Sequence, residues 1–229
     1  MSTNVCSFSW QHYREILEAG KNSGYKFLLF DEIEGKTAEK CCLLRHDIDY
    51  APEKAIEFGL IESALGIRST YFYQVSAWTY NTQERSCSEA IQALNSMGHQ
   101  IALHFDATWW EGISVEELAD VCTYEKDMLA RMTDIDISDI VSFHNPHTYA
   151  DKVINKTLTG IHHAYEPKYF SDIKYLSDSQ GWYEGCMCKL FESKKYPSMR
   201  ISIQCINVCK IVTNISGIEK LSRFLLNGV

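Results

Sequence analysis

Short apolar runs alternate with amphipathic stretches along most of the chain. Residues 41–45 and 68–74 are rich in apolar, aromatic and β-branched side chains, a composition that favours strands. Between them, residues 51–65 place their apolar positions at helical spacing. Gly66 follows directly, as glycine commonly does where a helix ends. The pattern therefore predicts a strand, a helix and a second strand.

The same alternation continues through the rest of the chain. We predict further strands at 99–105, 140–143, 160–165, 174–176 and 199–208, and helices at 84–97, 114–132 and 218–226. Ser114 and Glu117 have the spacing of a capping box at the start of the second of these helices. Strands that alternate with helices form parallel βαβ units. We expect an α/β fold, a distorted (β/α)7 barrel, with residues 1–229 in a single domain.

Charge and composition exclude several classes of function. The 22 Lys and Arg residues are outnumbered by 30 Asp and Glu residues, which gives a net charge of -8. A nucleic-acid-binding protein needs a basic surface, so we expect no nucleic-acid partner. No apolar stretch reaches the ~18 residues of a membrane-spanning helix, and no signal peptide is visible. No Gly-x-Gly-x-x-Gly sequence follows a strand, which argues against a dinucleotide-binding fold.

The nine cysteines are an odd number, so at least one thiol is not in an intramolecular disulfide. Without an export signal we predict a cytoplasmic protein in which most thiols are reduced. Cys186 and Cys188 are separated by one residue, and no second Cys/His pair follows at zinc-finger spacing. We interpret these two cysteines as buried thiols.

Polar side chains follow three of the predicted strands. Asp47 and Asp49 end the first, His104 ends the third, and His144 and His147 follow the fourth. The carboxyl ends of barrel strands meet at one rim, and imidazole with carboxylate suits a borderline divalent cation. One of these two carboxylates is therefore predicted to bind a metal ion together with His104 and His144, with His147 as an alternative to His144, and the other carboxylate to accept a proton from water. Taken alone, the Asp47–Asp49 pair also fits a turn or a helix cap.

Four segments resemble the motifs of the polysaccharide deacetylase family, which includes chitooligosaccharide and peptidoglycan deacetylases. The first is Arg-His-Asp-Ile-Asp at 45–49, followed after a helix by Leu-Gly-Ile-Arg-Ser-Thr-Tyr-Phe at 65–72. The others are Gly-His-Gln-Ile-Ala-Leu-His at 98–104, Ser-Phe-His-Asn-Pro at 142–146 and Ser-Asp-Ser at 177–179. The resemblance covers about residues 40–210, in the family's order, and implies a divergent member with a distorted seven-stranded barrel.

The resemblance implies roles for particular residues. Asp47 matches the catalytic base, and Asp49 and His104 match metal ligands. Asp178 matches a carboxylate that orients catalytic groups. The implied activity is metal-dependent N-deacetylation of an acetylated amino sugar or sugar precursor in surface-polysaccharide synthesis. Zinc is the implied metal, with cobalt, nickel or manganese as alternatives.

The substrate is expected to be a small carbohydrate. His147, Trp109 and Trp110 lie beside the predicted rim, and aromatic rings stack on sugars. We predict substrate contacts for these three residues, although core packing also explains the two tryptophans.

Three positions depart from the family's pattern. Thr108 stands where a second metal-binding histidine is expected, and His144 replaces an arginine. Asn207 replaces a histidine that supplies a general acid, a role that an amide cannot fill. Two alternative functions therefore stay open. One is a degenerate deacetylase fold that binds a sugar or a partner without hydrolysis. The other is a metal-dependent glycosyltransferase that uses Asp47-Ile48-Asp49.

Overall fold

The computed structural model describes residues 9–34, 39–146, 150–178 and 185–204. The strands are β1 (Lys26–Leu28), β2 (Cys41–Ile48), β3 (Thr70–Tyr73), β4 (Gln100–Phe105), β5 (Ile140–Phe143), β6 (His162–His163), β7 (Lys174–Ser177) and β8 (Ser198–Gln204). The helices are α1 (Trp10–Asn22), α2 (Ala55–Ala64), α3 (Arg85–Ser96), α4 (Leu118–Thr133), α5 (Ala150–Val153), α6 (Pro167–Phe170) and α7 (Met187–Ser193). Short 3-10 turns lie at Phe30–Glu32, Pro52–Lys54 and Ala107–Trp109.

The strands form one parallel sheet in the order β6-β5-β4-β3-β2-β8-β7. The short strand β1 pairs with the first half of β2, on the side where β3 pairs with the second half. Successive strands therefore lie side by side from β2 to β6, and β8 and β7 continue the sheet on the other side of β2. This is the strand order of a seven-stranded barrel that is open between β6 and β7.

Side chains of the central strands reach across to the segment that follows the edge strand β6. Arg45 of β2 donates a hydrogen bond to the hydroxyl of Tyr165 at 3.0 Å. Arg200 of β8 donates to the carbonyl of Ala164. These contacts require a sheet that is curled around a filled interior. The predicted distorted (β/α)7 barrel is confirmed.

Strand β2 is buried on both faces, as expected for a central strand in a parallel sheet. Leu44 and Ile48 pack in an apolar cluster that includes side chains of α1 and α2. Cys41 and Leu43 belong to a second cluster with side chains of β4 and β5. Because neighbouring strand residues face opposite sides, odd-numbered side chains of β2 point towards the second cluster. This alternation fixes which polar residues can share a site.

Several predicted boundaries change. Strand β1 was not predicted, because three residues are too few for a recognisable pattern. The strand predicted at 160–165 shortens to His162–His163. Ser114 and Glu117 do exchange hydrogen bonds, but α4 begins at Leu118. The helix predicted at 218–226 and the end of the strand predicted at 199–208 lie outside the described residues. Among the helices of the described ranges, none has the length and apolar character needed to cross a bilayer.

Candidate metal centre

Three predicted metal ligands converge at the carboxyl ends of β2, β4 and β5. Asp49 directly follows β2, His104 is the penultimate residue of β4, and His144 directly follows β5. β4 and β5 are neighbours, with His104 paired to Ser142 in register. The parallel arrangement brings the ends of all three strands to one rim, as predicted from the sequence.

The ligand atoms of these residues form a small triangle. Asp49 Oδ1 lies 3.2 Å from His104 Nε2 and 3.0 Å from His144 Nδ1. The two ring nitrogens are 3.3 Å apart. Ligands of a tetrahedral zinc ion at ~2.0–2.1 Å lie about 3.3–3.4 Å from one another. The triangle therefore has the size of one face of a zinc coordination sphere, and these donors fit a divalent metal ion.

Neighbouring groups hold each ligand in position. His104 Nδ1 lies 3.4 Å from the carbonyl oxygen of Ser142, which leaves Nε2 directed at the triangle. Gln74, buried just after β3, donates to Asp49 Oδ1 at 3.0 Å. Asn145 Nδ2 lies 2.9 Å from His144 Nε2. Outer contacts of this kind orient metal ligands, and the carbonyl of Ser142 also favours the tautomer of His104 in which Nε2 has a lone pair for a metal ion.

The electrostatics of the triangle favour an ionised carboxylate. Burial by itself raises the pKa of Asp49, but hydrogen bonds and charge from His104 and His144 outweigh it, and the net pKa lies well below the usual range. Burial lowers the pKa of His144, yet the hydrogen bond to Asp49 outweighs this effect and raises the net value. The ionised carboxylate of Asp49 thus supplies negative charge at the point where a divalent cation would bind.

Asp47 lies on the same face of β2 and is held by Arg45. Arg45 Nε donates to Asp47 Oδ1 at 2.9 Å, and Arg45 Nη2 donates to Oδ2 at 2.6 Å. Burial by itself raises the pKa of Asp47, but the charges of Arg45 and His104 outweigh it. The net pKa is lowered, so the carboxylate is ionised. Nη2 of Arg45 also donates to Ser142 Oγ at 2.6 Å. Asp47 is therefore oriented beside the metal triangle.

Arg45 and Gln74 were missed as site residues. A signal for Arg45 was present, because residues 45, 47 and 49 share one face of a strand. Gln74 follows β3 directly, at the rim to which β2 and β4 also lead. Polar residues at the carboxyl end of the second predicted strand were a usable signal as well.

His46 does not belong to the rim cluster, although it lies between two residues that point there. Its Nε2 contacts the carboxylate of Glu62 on α2 at 2.7 Å, and its ring stacks on Tyr71. Both groups are fully buried. The alternation along β2 directs this imidazole to the helical layer, away from Asp47 and Asp49.

Thr108 does not replace the second histidine of the family pattern. Its backbone N–H and hydroxyl both donate to Asp106 Oδ1, at 2.9 and 2.7 Å. This capping interaction begins the turn at Ala107–Trp109. His144, from the neighbouring strand, provides the third potential ligand instead.

The remaining predicted residues have different surroundings. Trp109 is 55% exposed, whereas Trp110 packs in the second apolar cluster and donates its ring N–H to Glu125 at 2.6 Å. Asp178 is buried after β7, where its backbone N–H donates to the carbonyl of Ser202 at 3.2 Å. His147 and Asn207 lie outside the described residues. Substrate contacts and the role of Asp178 stay predictions.

No family model matches the chain, and no curated protein matches it. Among solved structures, it is similar to the Streptococcus pyogenes deacetylase PplD in complex with acetate, at 13% sequence identity, covering 91% of this chain and 88% of that chain, with a TM-score of 0.47. For the chitin deacetylase of the fungal pathogen Colletotrichum lindemuthianum, the identity is 13%, the coverage 82% of each chain and the TM-score 0.46.

A CE4 family pseudoenzyme from Bacillus anthracis is also similar, at 12% identity, covering 72% of this chain and 64% of that chain, with a TM-score of 0.37.

Proposed function

We propose that this chain is a metal-dependent N-deacetylase that hydrolyses the amide of an acetylated amino sugar or sugar precursor. The observation that carries the proposal is the triangle of Asp49, His104 and His144, with the ionised Asp47 oriented beside it. A carboxylate, two imidazoles and a separate carboxylate base form the side-chain set of a metal-assisted hydrolase.

Asp49, His104 and His144 would hold the divalent ion, with zinc favoured and cobalt, nickel or manganese as alternatives. When bound, the ion supplies positive charge that acidifies a water molecule and polarises an amide carbonyl. Gln74 keeps Asp49 aimed at the two histidines, because it donates to the same carboxylate oxygen. The carbonyl of Ser142 orients His104 in the same way.

Asp47 would accept the proton from the attacking water. The two hydrogen bonds from Arg45 keep its carboxylate ionised and fix its orientation. The same ion pair lowers the basicity of Asp47. Arg45 therefore orients the Asp47 carboxylate but makes it a weaker base. Asp178 is proposed to orient neighbouring catalytic groups, as the family resemblance implies.

An acetylated sugar suits the surroundings of the centre. Trp109 presents an exposed ring near the end of β4, and a sugar ring can stack on such a surface. We also propose Trp110 as a substrate contact, with its ring fixed by the hydrogen bond to Glu125. The net charge of -8 favours a neutral or cationic substrate, and we place the reaction in the cytoplasm, on a precursor for surface-polysaccharide synthesis.

The test is acetate release from N-acetylated amino sugars with added zinc or cobalt. Asp47→Asn should lower turnover by ~10²–10⁴, the usual contribution of general-base catalysis, while the bound metal is retained. Wild-type turnover in Asp47→Asn would contradict the assignment of the base.

Trp109→Ala should raise KM more than it lowers kcat, because it removes only a binding surface.

A degenerate, non-catalytic protein is the second candidate. Two observations favour it: both oxygens of Asp47 are occupied by Arg45, and Thr108 is bound to Asp106. Metal that depends on Asp49, without acetate release from any acetylated sugar, would support this candidate. Asn207→His restores an imidazole acid where the family has one. If acetate release is absent in this variant too, the non-catalytic candidate is favoured.

A metal-dependent glycosyltransferase is less well supported. It would use Asp47 and Asp49 together, yet Asp47 is paired with Arg45. Asp49 is instead grouped with two histidines that such an enzyme would not need.

A further inference from the structure

A second group of metal-binding side chains lies between α1 and α7. His12 of α1 and Cys186 and Cys188 at the start of α7 have potential ligand atoms within 4.8 Å of one another. Cys186 Sγ lies 3.2 Å from His12 Nε2. We call these three residues the α1–α7 cluster. It shares no residue with the triangle at Asp49.

His12 is oriented as a metal-binding histidine would be. Its Nδ1 lies 3.1 Å from Glu15 Oε2, and the other oxygen of Glu15 accepts from Gln11 Nε2 at 3.0 Å. Ser9 accepts a hydrogen bond from the backbone N–H of His12 at 3.1 Å. A carboxylate on Nδ1 fixes the tautomer in which Nε2 has a lone pair. That lone pair is directed at Cys186.

The chemistry of the donors favours zinc. Two thiolates and one imidazole are soft to borderline ligands, and zinc binds this combination in tetrahedral sites. All three residues are half-buried, so they are shielded and still accessible to an ion. Cys188 packs against the first apolar cluster, as Cys87 does, and burial raises the pKa of both thiols. Unlike the fully packed Cys87, however, Cys188 is half-buried and lies beside a second thiol and an imidazole.

We propose that His12, Cys186 and Cys188 bind a zinc ion that joins α1 to α7, with water in the fourth position. His12 and Cys186 are 174 residues apart in the sequence, so the ion would close a long loop. α1 leads into β1 and α7 into β8, and both strands pair with β2, which leads to Asp49. The ion would thus fasten the two segments that flank the strand of the candidate centre. This proposal does not depend on deacetylase activity.

Cobalt substitution tests the proposal by spectroscopy. Zinc is removed under reducing conditions and the protein is titrated with Co²⁺. Wild-type protein and Asp49→Ala should both show a thiolate-to-cobalt charge-transfer band, because Asp49→Ala removes only the other centre. The double variant Cys186→Ser/Cys188→Ser should lose the band. Cys87→Ala, which removes a thiol elsewhere, should keep it.

Two further variants distinguish a loss of metal binding from a folding defect. His12→Gln should weaken the band, and Glu15→Gln should lower metal affinity by ~10–100-fold while circular dichroism stays native. No charge-transfer band in Asp49→Ala, or the same band in Cys186→Ser/Cys188→Ser, would overturn the proposal. So would a Cys186–Cys188 disulfide in protein purified without oxidant, since it would identify the pair as a redox centre.

Discussion

Arg45 and Asp47 form an ion pair inside the barrel, with Arg200 nearby. Arg45 is fully buried and lies over the rings of Phe72 and Tyr165. Burial and the charge of Arg45 lower the pKa of Arg200 to about 10. The described interior thus holds two arginines near one ionised aspartate. Buried charges of this kind are costly unless they are paired, so Asp47 has a structural role in addition to the one we propose in catalysis.

Arg45→Met tests this pairing. It should destabilise the fold by about 3–5 kcal/mol, because it leaves Asp47 buried without its cationic partner. It should also raise the pKa of Asp47. The free energy of unfolding in urea gives the first effect, with Arg85→Met as the control, since Arg85 forms an exposed pair with Glu89 that contributes little. Equal stability of the two variants would contradict the account of the ion pair.

At the scale of elements, β2 carries polar groups on both faces. Its inner face presents Arg45 and Asp47, and its outer face presents His46 to a buried network on Glu62 of α2. Glu62 accepts hydrogen bonds from Ser69 at 2.5 Å and Tyr71 at 2.8 Å, and from the hydroxyl of Tyr13 on α1. The network docks α1 and α2 on the strand that leads to the candidate centre.

Glu62→Ala should therefore be strongly destabilising. The loss should be about 3–5 kcal/mol, because several buried donors lose their shared acceptor and His46 loses its partner. Chemical denaturation measures the effect. The matched control is Glu57→Ala on the same helix, which removes only a partly exposed pair with Lys54 and should cost less than about 1 kcal/mol.

Glu125 on α4 predicts a pH dependence. Burial raises its pKa to about 7, the charge of Asp106 acts in the same direction, and the bond from Trp110 opposes both. A carboxyl group with a raised pKa in the folded state favours folding while it is protonated. Its contribution is therefore present below about pH 4.5 and is lost as the pH rises to about 7, a change of up to ~3 kcal/mol.

Glu125→Gln should remove this slope between about pH 4.5 and 7, because the amide oxygen still accepts from Trp110 but does not ionise. Asp127→Asn on the exposed side of α4 is the control and should leave the slope unchanged. Unfolding curves measured at several pH values give the pH dependence of the free energy of unfolding for each protein. A wild-type slope in Glu125→Gln would show that another group is responsible.

At the scale of the whole molecule, the sequence was most informative where a topological rule applied. The predicted ligands Asp49, His104 and His144 come together because parallel strands end at one rim. Gln74 shares that rim, but its side chain is an amide and not one of the carboxylate or imidazole groups that indicated a metal site. The His12–Cys186 contact was missed for a different reason. Its partners lie 174 residues apart, on helices whose packing no local pattern specifies.

Local patterns were least reliable for short elements. β1 has three residues, and β6 has two where a longer strand was predicted. The capping box at Ser114 formed its hydrogen bonds, yet the helix began after it. Pairing with neighbouring strands and packing against the sheet determine such boundaries, and neither is visible in a local window.

A bound ion should stabilise the whole fold, because the ligands come from three separate strands. Zinc at about 100 times its dissociation constant should add ~2.7 kcal/mol to the free energy of unfolding. A rise in Tm on addition of zinc, reversed by a chelator, measures this. Asp49→Asn should reduce the rise in Tm, because it removes one ligand of the Asp49–His104–His144 triangle. An identical rise in Tm for the wild-type protein and Asp49→Asn would contradict zinc binding at the triangle.

The zinc content of His144→Ala compared with the wild-type protein tests the central claim most directly. His144 belongs to the rim triangle and not to the α1–α7 cluster, so the difference counts only the candidate centre. Elemental analysis of both proteins, loaded with zinc and dialysed, should show that the variant has one zinc per chain fewer. Equal zinc content in folded samples of the two proteins would contradict the assignment of Asp49, His104 and His144 as a metal centre.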